Sequence, residues 1–297
     1  MTSNRTHRRL LPAFAAIMGA VLVTGCASDA VVDSVRPRPD DLAASAGEQA
    51  GAPKGTVQAL IRAGDATRAA GDPAAAVFLY RRAHTLDTTQ AEPLAKMGGA
   101  LIEAGALNEA AEAFRAALAI EPARPDALRG LGHALIGLDQ PQLALDQFDA
   151  ALRLDPSDQR AYNGMGVAYD LAGDHRAAQA HYRVGLAEAP DNIALRNNLA
   201  LSLALDGDFE ESIEILEKLT SEPGATARHR LNLALVLGLA GRSEEAARIA
   251  RRDLPETEVQ SNLVYYDILR SMADSRRTAA VFGIHPRAAK QAPGNGK

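Results

Sequence analysis

The sequence predicts an all-α protein whose helix pairs repeat in tandem, and three observations support this fold class. Alanine is abundant, and it has the highest helix propensity of all residues. Aromatic residues make up 4% of the chain and Trp is absent, whereas β-sandwiches and barrels depend on aromatic and β-branched residues. The chain also aligns with itself at a shift of 34 residues, which is typical of a solenoid built from helix pairs.

Composition narrows the possible functions. The chain of 297 residues has a formal net charge of −5 and an isoelectric point of about 5.8. This acidic balance argues against a nucleic-acid backbone as the main partner. The single cysteine, Cys26, excludes an intrachain disulfide and a cysteine-based metal cluster.

Residues 1–25 have the layout of a bacterial export signal. Arg5, Arg8 and Arg9 form a positive start, and an apolar run follows from Leu10 to Val23. This order is typical of a secretory signal peptide, and the run is shorter than the about 20 apolar residues of a membrane-spanning helix. We therefore expect residues 1–25 to direct export and to be removed.

The signal ends in Val23-Thr24-Gly25-Cys26, which resembles the lipobox of bacterial lipoproteins. The resemblance implies that Cys26 becomes the first mature residue and carries acyl chains. A covalent lipid on Cys26 would then be the attachment to the membrane, and two or three acyl chains anchor far more firmly than one. The alternative is an ordinary signal peptide with an accidental cysteine.

Residues 26–56 are predicted to be a flexible linker. They are rich in Ala, Asp, Ser, Pro and Gly and show no sustained apolar period. Such a segment cannot bury enough apolar surface to offset the entropy of ordering the chain. A passive spacer is one interpretation, and a segment that binds the cell wall or a partner is the other.

Residues 57–260 contain six copies of the 34-residue repeat without insertion or deletion. Small residues recur at positions 8 and 20, where two helices of a pair must approach closely, and a large residue at position 24 fills the space beside them. The residues at position 8 are Gly64, Gly98, Gly132, Gly166, Ala200 and Ala234. Those at position 24 are Tyr80, Phe114, Phe148, Tyr182, Leu216 and Ala250.

The ends of the predicted helices are marked by turn residues. Position 15 is Gly in five copies and Asp139 in the third, which predicts a left-handed helix end. Asp72, Asp174 and Asp208 follow this turn and are expected to cap the second helix of their repeat. Prolines at position 32 of several copies separate one repeat from the next.

This pattern resembles the tetratricopeptide repeat (TPR), and the resemblance implies a superhelical solenoid of helix pairs. Beyond the repeats, the amphipathic pattern that runs from Thr257 to Met272 predicts a capping helix, which we assign to 261–272. Residues 273–297 are basic and end in Pro-Gly-Asn-Gly-Lys. We expect this tail to be disordered.

The sequence offers no catalytic constellation. The histidines lack the spacing of a helical zinc site, and Cys26 is assigned to the lipid. Gly130-x-Gly132 and Gly164-x-Gly166 are similar to fragments of a nucleotide-binding loop, but they occupy repeat positions 6 and 8 inside a helix, so close packing explains them. We therefore expect a protein that is not an enzyme and that has no metal, no cofactor other than the lipid, and no small-molecule substrate.

A solenoid of this type has a concave groove lined mainly by the first helix of each repeat. Positions 2, 5, 9 and 12 are predicted to face it, with a mixed polar early half and an apolar late half. Asn198 and Asn232 at position 6 could bond a ligand backbone, or they could be repeat consensus with a local role. The candidate partner-binding residues are Arg129, His133, Arg160, Asn163, Asn198, Leu201, Asn232 and Leu235.

The sixth repeat carries a narrower resemblance. The segments 230–242, 244–255 and 262–266 resemble the C-terminal half of the tight-adherence (Flp/Tad) pilus assembly TPR lipoproteins, the TadD group. The resemblance implies a scaffold that binds pilus assembly proteins and supports the outer-membrane secretin. Ala27 after the lipidated cysteine implies the periplasmic face of the outer membrane.

Two other classes of function remain open at this stage. The chain could be a pilotin-type lipoprotein or an outer-membrane assembly adaptor of another envelope pathway. It could also tether a cell-wall synthase or hydrolase. In each case the partners are proteins and the membrane contact is the lipid.

Overall fold

The computed structural model describes residues 54–283, which form fourteen α-helices without a strand. The predicted signal peptide, the lipidation of Cys26, most of the linker and the end of the tail lie outside these residues. The first helices of the six repeats are α1 (Lys54–Ala69), α3 (Glu92–Glu103), α5 (Pro125–Gly137), α7 (Gln159–Leu171), α9 (Ile193–Asp206) and α11 (Ala227–Leu239). The second helices are α2 (Pro73–Leu86), α4 (Leu107–Ile120), α6 (Pro141–Leu154), α8 (His175–Glu188), α10 (Phe209–Ser221) and α12 (Ser243–Ala250). Two further helices are α13 (Glu256–Ser271) and α14 (Asp274–Val281).

The helices stack in the order of the sequence. Each helix from α1 to α12 packs against the next one, and the first helices of consecutive repeats also contact each other from α3 to α11. The start of each second helix lies 34 residues after the previous start, from Pro73 through to Ser243. This regular stacking makes a TPR-type solenoid in which the first helices share one surface, as the sequence predicts.

The turns inside the repeats adopt the predicted left-handed backbone. Position 15 has a positive φ in all six copies, between 76° and 96° at the five glycines and 60° at Asp139. Asp139 is the only non-glycine residue of the described chain with a positive φ. A short polar side chain tolerates this region better than most others do, so the third repeat keeps the same turn.

The aromatic residue at position 24 is wedged between glycines of two repeats. A Cβ atom on Gly132 would lie 2.6 Å from Cζ of Phe148 in the same repeat, and a Cβ on Gly164 of the next repeat would press on the same ring. A Cβ on Gly130 would likewise press on the ring of Phe114 from the preceding repeat. Both Gly-x-Gly pairs therefore serve close packing.

The predicted caps of the second helices are present in two repeats of three. The Asp72 side chain accepts a hydrogen bond from the backbone N–H of Ala75, and Asp174 does the same for Ala177. The prediction for Asp208 was wrong, because its side chain makes no capping bond. Helix α10 instead carries two glutamates in its first turn, where their charge favours the positive end of the helix dipole.

Three predicted boundaries need correction. The first helix begins at Lys54, inside the segment 26–56 assigned to the linker. The capping helix α13 begins at Glu256 rather than at residue 261, because Pro255 precedes the first turn and starts it. Residues 274–281, assigned to the disordered tail 273–297, form helix α14, because this segment packs on the solenoid.

Candidate functional site

The concave surface is open in the middle of the solenoid. His133 is exposed, and its ring meets Phe148 edge-on, with 5.2 Å between the ring centroids. One side of the ring lies against the protein, and the loss of water there, followed by the nearby Arg129 guanidinium, lowers the pKa of His133 to about 4. Arg129 forms an ion pair with the buried Asp158 at the start of α7, while Arg160 is exposed on the first turn of that helix.

Four asparagines form a chain of side-chain hydrogen bonds across repeats 4, 5 and 6. Asn232 Nδ2 donates to Asn197 Oδ1 at 2.7 Å, Asn197 Nδ2 donates to Asn198 Oδ1 at 3.1 Å, and Asn198 Nδ2 donates to Asn163 Oδ1 at 3.0 Å. Each amide nitrogen carries a second N–H. We call these residues the amide ladder.

The amide ladder bears on the two interpretations of Asn198 and Asn232, which were a bond to a ligand backbone and a local structural role. Both residues bond their neighbours in the adjacent repeat and so have the local role that the sequence left open. Both are also only partly buried, as Asn163 is, so the ladder remains accessible from the groove. Asn197 occupies repeat position 5, which the sequence predicts to face the groove. Its hydrogen bond to Asn232, 35 residues later in the chain, could not be predicted from the sequence.

The late half of the groove is not open surface. Leu201 and Leu235 are 4% and 5% exposed and belong to one apolar cluster. Ala280, Val281 and Phe282 from the C-terminal segment pack against that cluster. The apolar cluster that contains both leucines is therefore covered in part by residues that the sequence assigned to a disordered tail.

A buried polar network joins helices α7, α8 and α9. The Asp170 carboxylate is fully buried and accepts hydrogen bonds from Tyr182 Oη at 3.0 Å and from Ser202 Oγ at 2.7 Å, and it pairs with His175 Nδ1 at 2.7 Å. The hydrogen bond to Asp170 raises the pKa of His175, and burial raises the pKa of Tyr182.

This network was not found from the sequence, although it contains Ser, His and Asp. In a catalytic triad the serine bonds the imidazole that takes its proton. Here the hydroxyl and the imidazole both bond the carboxylate, so the serine is not activated by the histidine. The arrangement fits a structural clamp between the fourth and fifth repeats.

Residues 54–283 lack two kinds of feature, a metal site and a membrane-spanning helix. They contain no group of three or more His, Cys, Asp or Glu side chains arranged to hold a metal ion. No helix in this range is both long and apolar enough to cross a bilayer.

Family comparisons bear on the repeats directly. A tetratricopeptide-repeat family matches residues 101–167, and a second family of the same description matches residues 163–226. Both ranges lie within the six 34-residue repeats at 57–260. The chain folds as a TPR solenoid.

Solved TPR structures have the same fold. A tetratricopeptide repeat protein from Parabacteroides merdae is 19% identical, with a TM-score of 0.61 over 86% of this chain and 98% of that one. PilF from Pseudomonas aeruginosa is 18% identical, with a TM-score of 0.57 over 71% and 98%. TTC0263, a thermophilic TPR protein from Thermus thermophilus, is 23% identical, with a TM-score of 0.56 over 61% and 98%. A search of curated proteins found no match.

Proposed function

We propose that this TPR protein is a scaffold that binds an extended segment of a partner protein along the open part of its concave groove. The observation that carries the proposal is the accessible amide ladder beside the exposed His133 and Arg160. Amide groups can bond the backbone of an extended segment without reading its side chains. Specificity would then come from the charged residues nearby.

The spacing of the helices supports an extended ligand. Packed helices lie about 8–10 Å apart, which is about three residues of extended chain at roughly 3.3 Å each. An extended segment that runs across the first helices therefore meets an equivalent position of the groove every third residue. Asn163 and Asn197 both occupy position 5 and are separated by one such step of the solenoid.

The proposed pathway is assembly of a tight-adherence (Flp/Tad) pilus, with the protein anchored by a lipid on Cys26 at the periplasmic face of the outer membrane. The support is the resemblance of the sixth repeat together with the lipobox. The proposed partners are pilus assembly proteins, with the secretin among them. The expected role is binding rather than catalysis.

A crosslinking pull-down from envelope membranes tests the proposal. The intact protein should recover pilus components, and Cys26→Ser should recover less because the protein is no longer held at the membrane. Asn163→Ala should reduce recovery while leaving the protein anchored. Arg153→Ala is the matched control, because this residue is 74% exposed on a second helix.

The outcomes separate the parts of the proposal. Recovery of cell-wall enzymes or outer-membrane insertion factors without any pilus component would contradict the pathway. Equal recovery with the Asn163 and Arg153 variants would contradict the amide ladder as the binding surface. An unchanged membrane fraction for Cys26→Ser would contradict the lipid anchor.

A further inference from the structure

Helix α14 turns back along the solenoid instead of extending it. Helix α13 ends at Ser271, and Met272 and Ala273 have extended backbone, with ψ of 151° and 146°. After this reversal α14 packs against α7 and α9, the first helices of repeats 4 and 5. The Asp274 carboxylate at its start acts electrostatically on His175 at the start of α8. The helix therefore reaches back past repeat 6 and lies across repeats 4 and 5.

Its position coincides with the change from open to covered groove. Position 9 of the repeat is exposed at His133 and half-buried at Val167, but it is buried at Leu201 and Leu235. The residues of the C-terminal segment that pack on the cluster of these leucines are Ala280, Val281 and Phe282. The first helices of repeats 4 and 5 thus already carry a helix, while the first helix of repeat 6 is contacted by α13.

The attachment of α14 to the groove consists of apolar packing. Arg277 donates to the carbonyl oxygens of Leu269 and Met272 and pairs with Asp274, all within the C-terminal segment. Among residues 54–283, no hydrogen bond or ion pair joins α14 to α7 or α9. Thr278 and Ala279 are the buried residues of the helix. A contact of this kind can be exchanged for another apolar helix without leaving a buried charge unpaired.

The fit is also incomplete. A cleft of about 250 Å³ lies where the C-terminal segment meets the solenoid, and it is lined by Ala204, Phe209, Leu239, Arg270 and Arg277. This cleft is partly open to solvent, so it lies at the edge of the contact. A helix of eight residues is also marginal in water without docking, so release of α14 would unfold it.

We infer that α14 is an internal ligand that occupies the groove at repeats 4 and 5 and gives way to an amphipathic helix of a partner with a small or apolar face. The partner's pathway rests on the proposed function, but the occupancy of the groove by α14 does not. A competing helix binds only those molecules in which the groove is free of α14. Its apparent affinity is therefore the intrinsic affinity multiplied by the fraction of free molecules. If about one molecule in ten is free, full release strengthens binding about ten-fold.

The test uses the full chain and a labelled synthetic peptide of residues 272–283 as the competing helix. In Ala279→Glu, a buried charge should expel α14, and the amides of α14 should then exchange with solvent within seconds. The peptide should bind this variant at least ten-fold more tightly than it binds the wild-type chain. The matched control is Ser275→Glu, which places the same side chain at an exposed position of the same helix and should behave as the wild type does.

Hydrogen exchange in α7 to α12 shows that the solenoid of the variant remains folded, and Phe282→Ala provides a milder second variant with the same expected direction. A peptide that carries the Ala279→Glu change itself should not bind. Unprotected α14 amides in the wild-type chain, or equal peptide binding by the wild type and both variants, would overturn the inference. No pilus component enters this assay, so failure of the proposed pathway leaves its result unchanged.

Discussion

At the scale of single residues, the contact between a glycine and an aromatic ring sets how closely the two helices of a repeat approach. Gly132→Ala places a methyl group 2.6 Å from Cζ of Phe148, so either the ring or the helix must move. Overpacking of this kind costs about 1–3 kcal/mol. Urea unfolding of the variant should show that loss of stability, with a lower midpoint.

The matched control is Gly55→Ala on α1, where nothing lies within 4 Å of the added methyl group. Alanine favours a helix over glycine, so this change should be neutral or slightly stabilising. Equal destabilisation by both changes would mean that the packing against Phe148 is not what requires glycine. The period of the sequence could predict this contact, because it depends on residue size at fixed positions.

At the scale of the helix, two aspartates at the same repeat position have different roles. Asp174 caps α8 through the N–H of Ala177, whereas Asp208 makes no capping bond to α10. Asp174→Ala should therefore lower the free energy of unfolding by about 1 kcal/mol. Asp208→Ala should change it by less than about 0.5 kcal/mol, as measured by thermal or urea unfolding. A similar loss in both variants would show that the charge, and not the cap, stabilises these helices.

The elements that sequence analysis predicted are those with a local cause. The 34-residue period, the left-handed turns and the close-packing glycines follow from residue types at fixed positions. Helix α14 could not be predicted in this way, because its eight residues, which include Arg276 and Arg277, show no clear apolar period. The segment is helical because it packs against α7 and α9. The same segment covers part of the apolar cluster that contains Leu201 and Leu235, so the apolar late half of the groove that the sequence predicts is partly filled from within the chain. His175 and Ser202 likewise meet at Asp170 only once the repeats are stacked.

At the scale of the whole molecule, polar links join repeats 1 and 2 and repeats 4 to 6. Lys96 and Asp65 connect repeats 1 and 2 at 2.9 Å, and the amide ladder connects repeats 4 to 6. Because a solenoid has contacts only between neighbours, its stability is close to a sum of repeat and interface contributions. Damage to one link should therefore stay local, apart from the covering helix α14, which joins repeats 4 and 5 to the C-terminus.

Asn197→Ala tests this view, because Asn197 is 5% exposed and is bonded to both Asn198 and Asn232. The change leaves two amides without their partner and should cost about 1–3 kcal/mol. Hydrogen exchange should become faster in α7 to α14, while α1 to α4 keep the wild-type rates.

Lys96→Ala is the complementary change, since it removes a partly exposed ion pair worth about 0–1 kcal/mol and should affect only the first two repeats. If instead either variant accelerates hydrogen exchange in all six repeats alike, the solenoid unfolds as a single cooperative unit. Release of α14 would then also change hydrogen exchange in repeats that α14 does not contact.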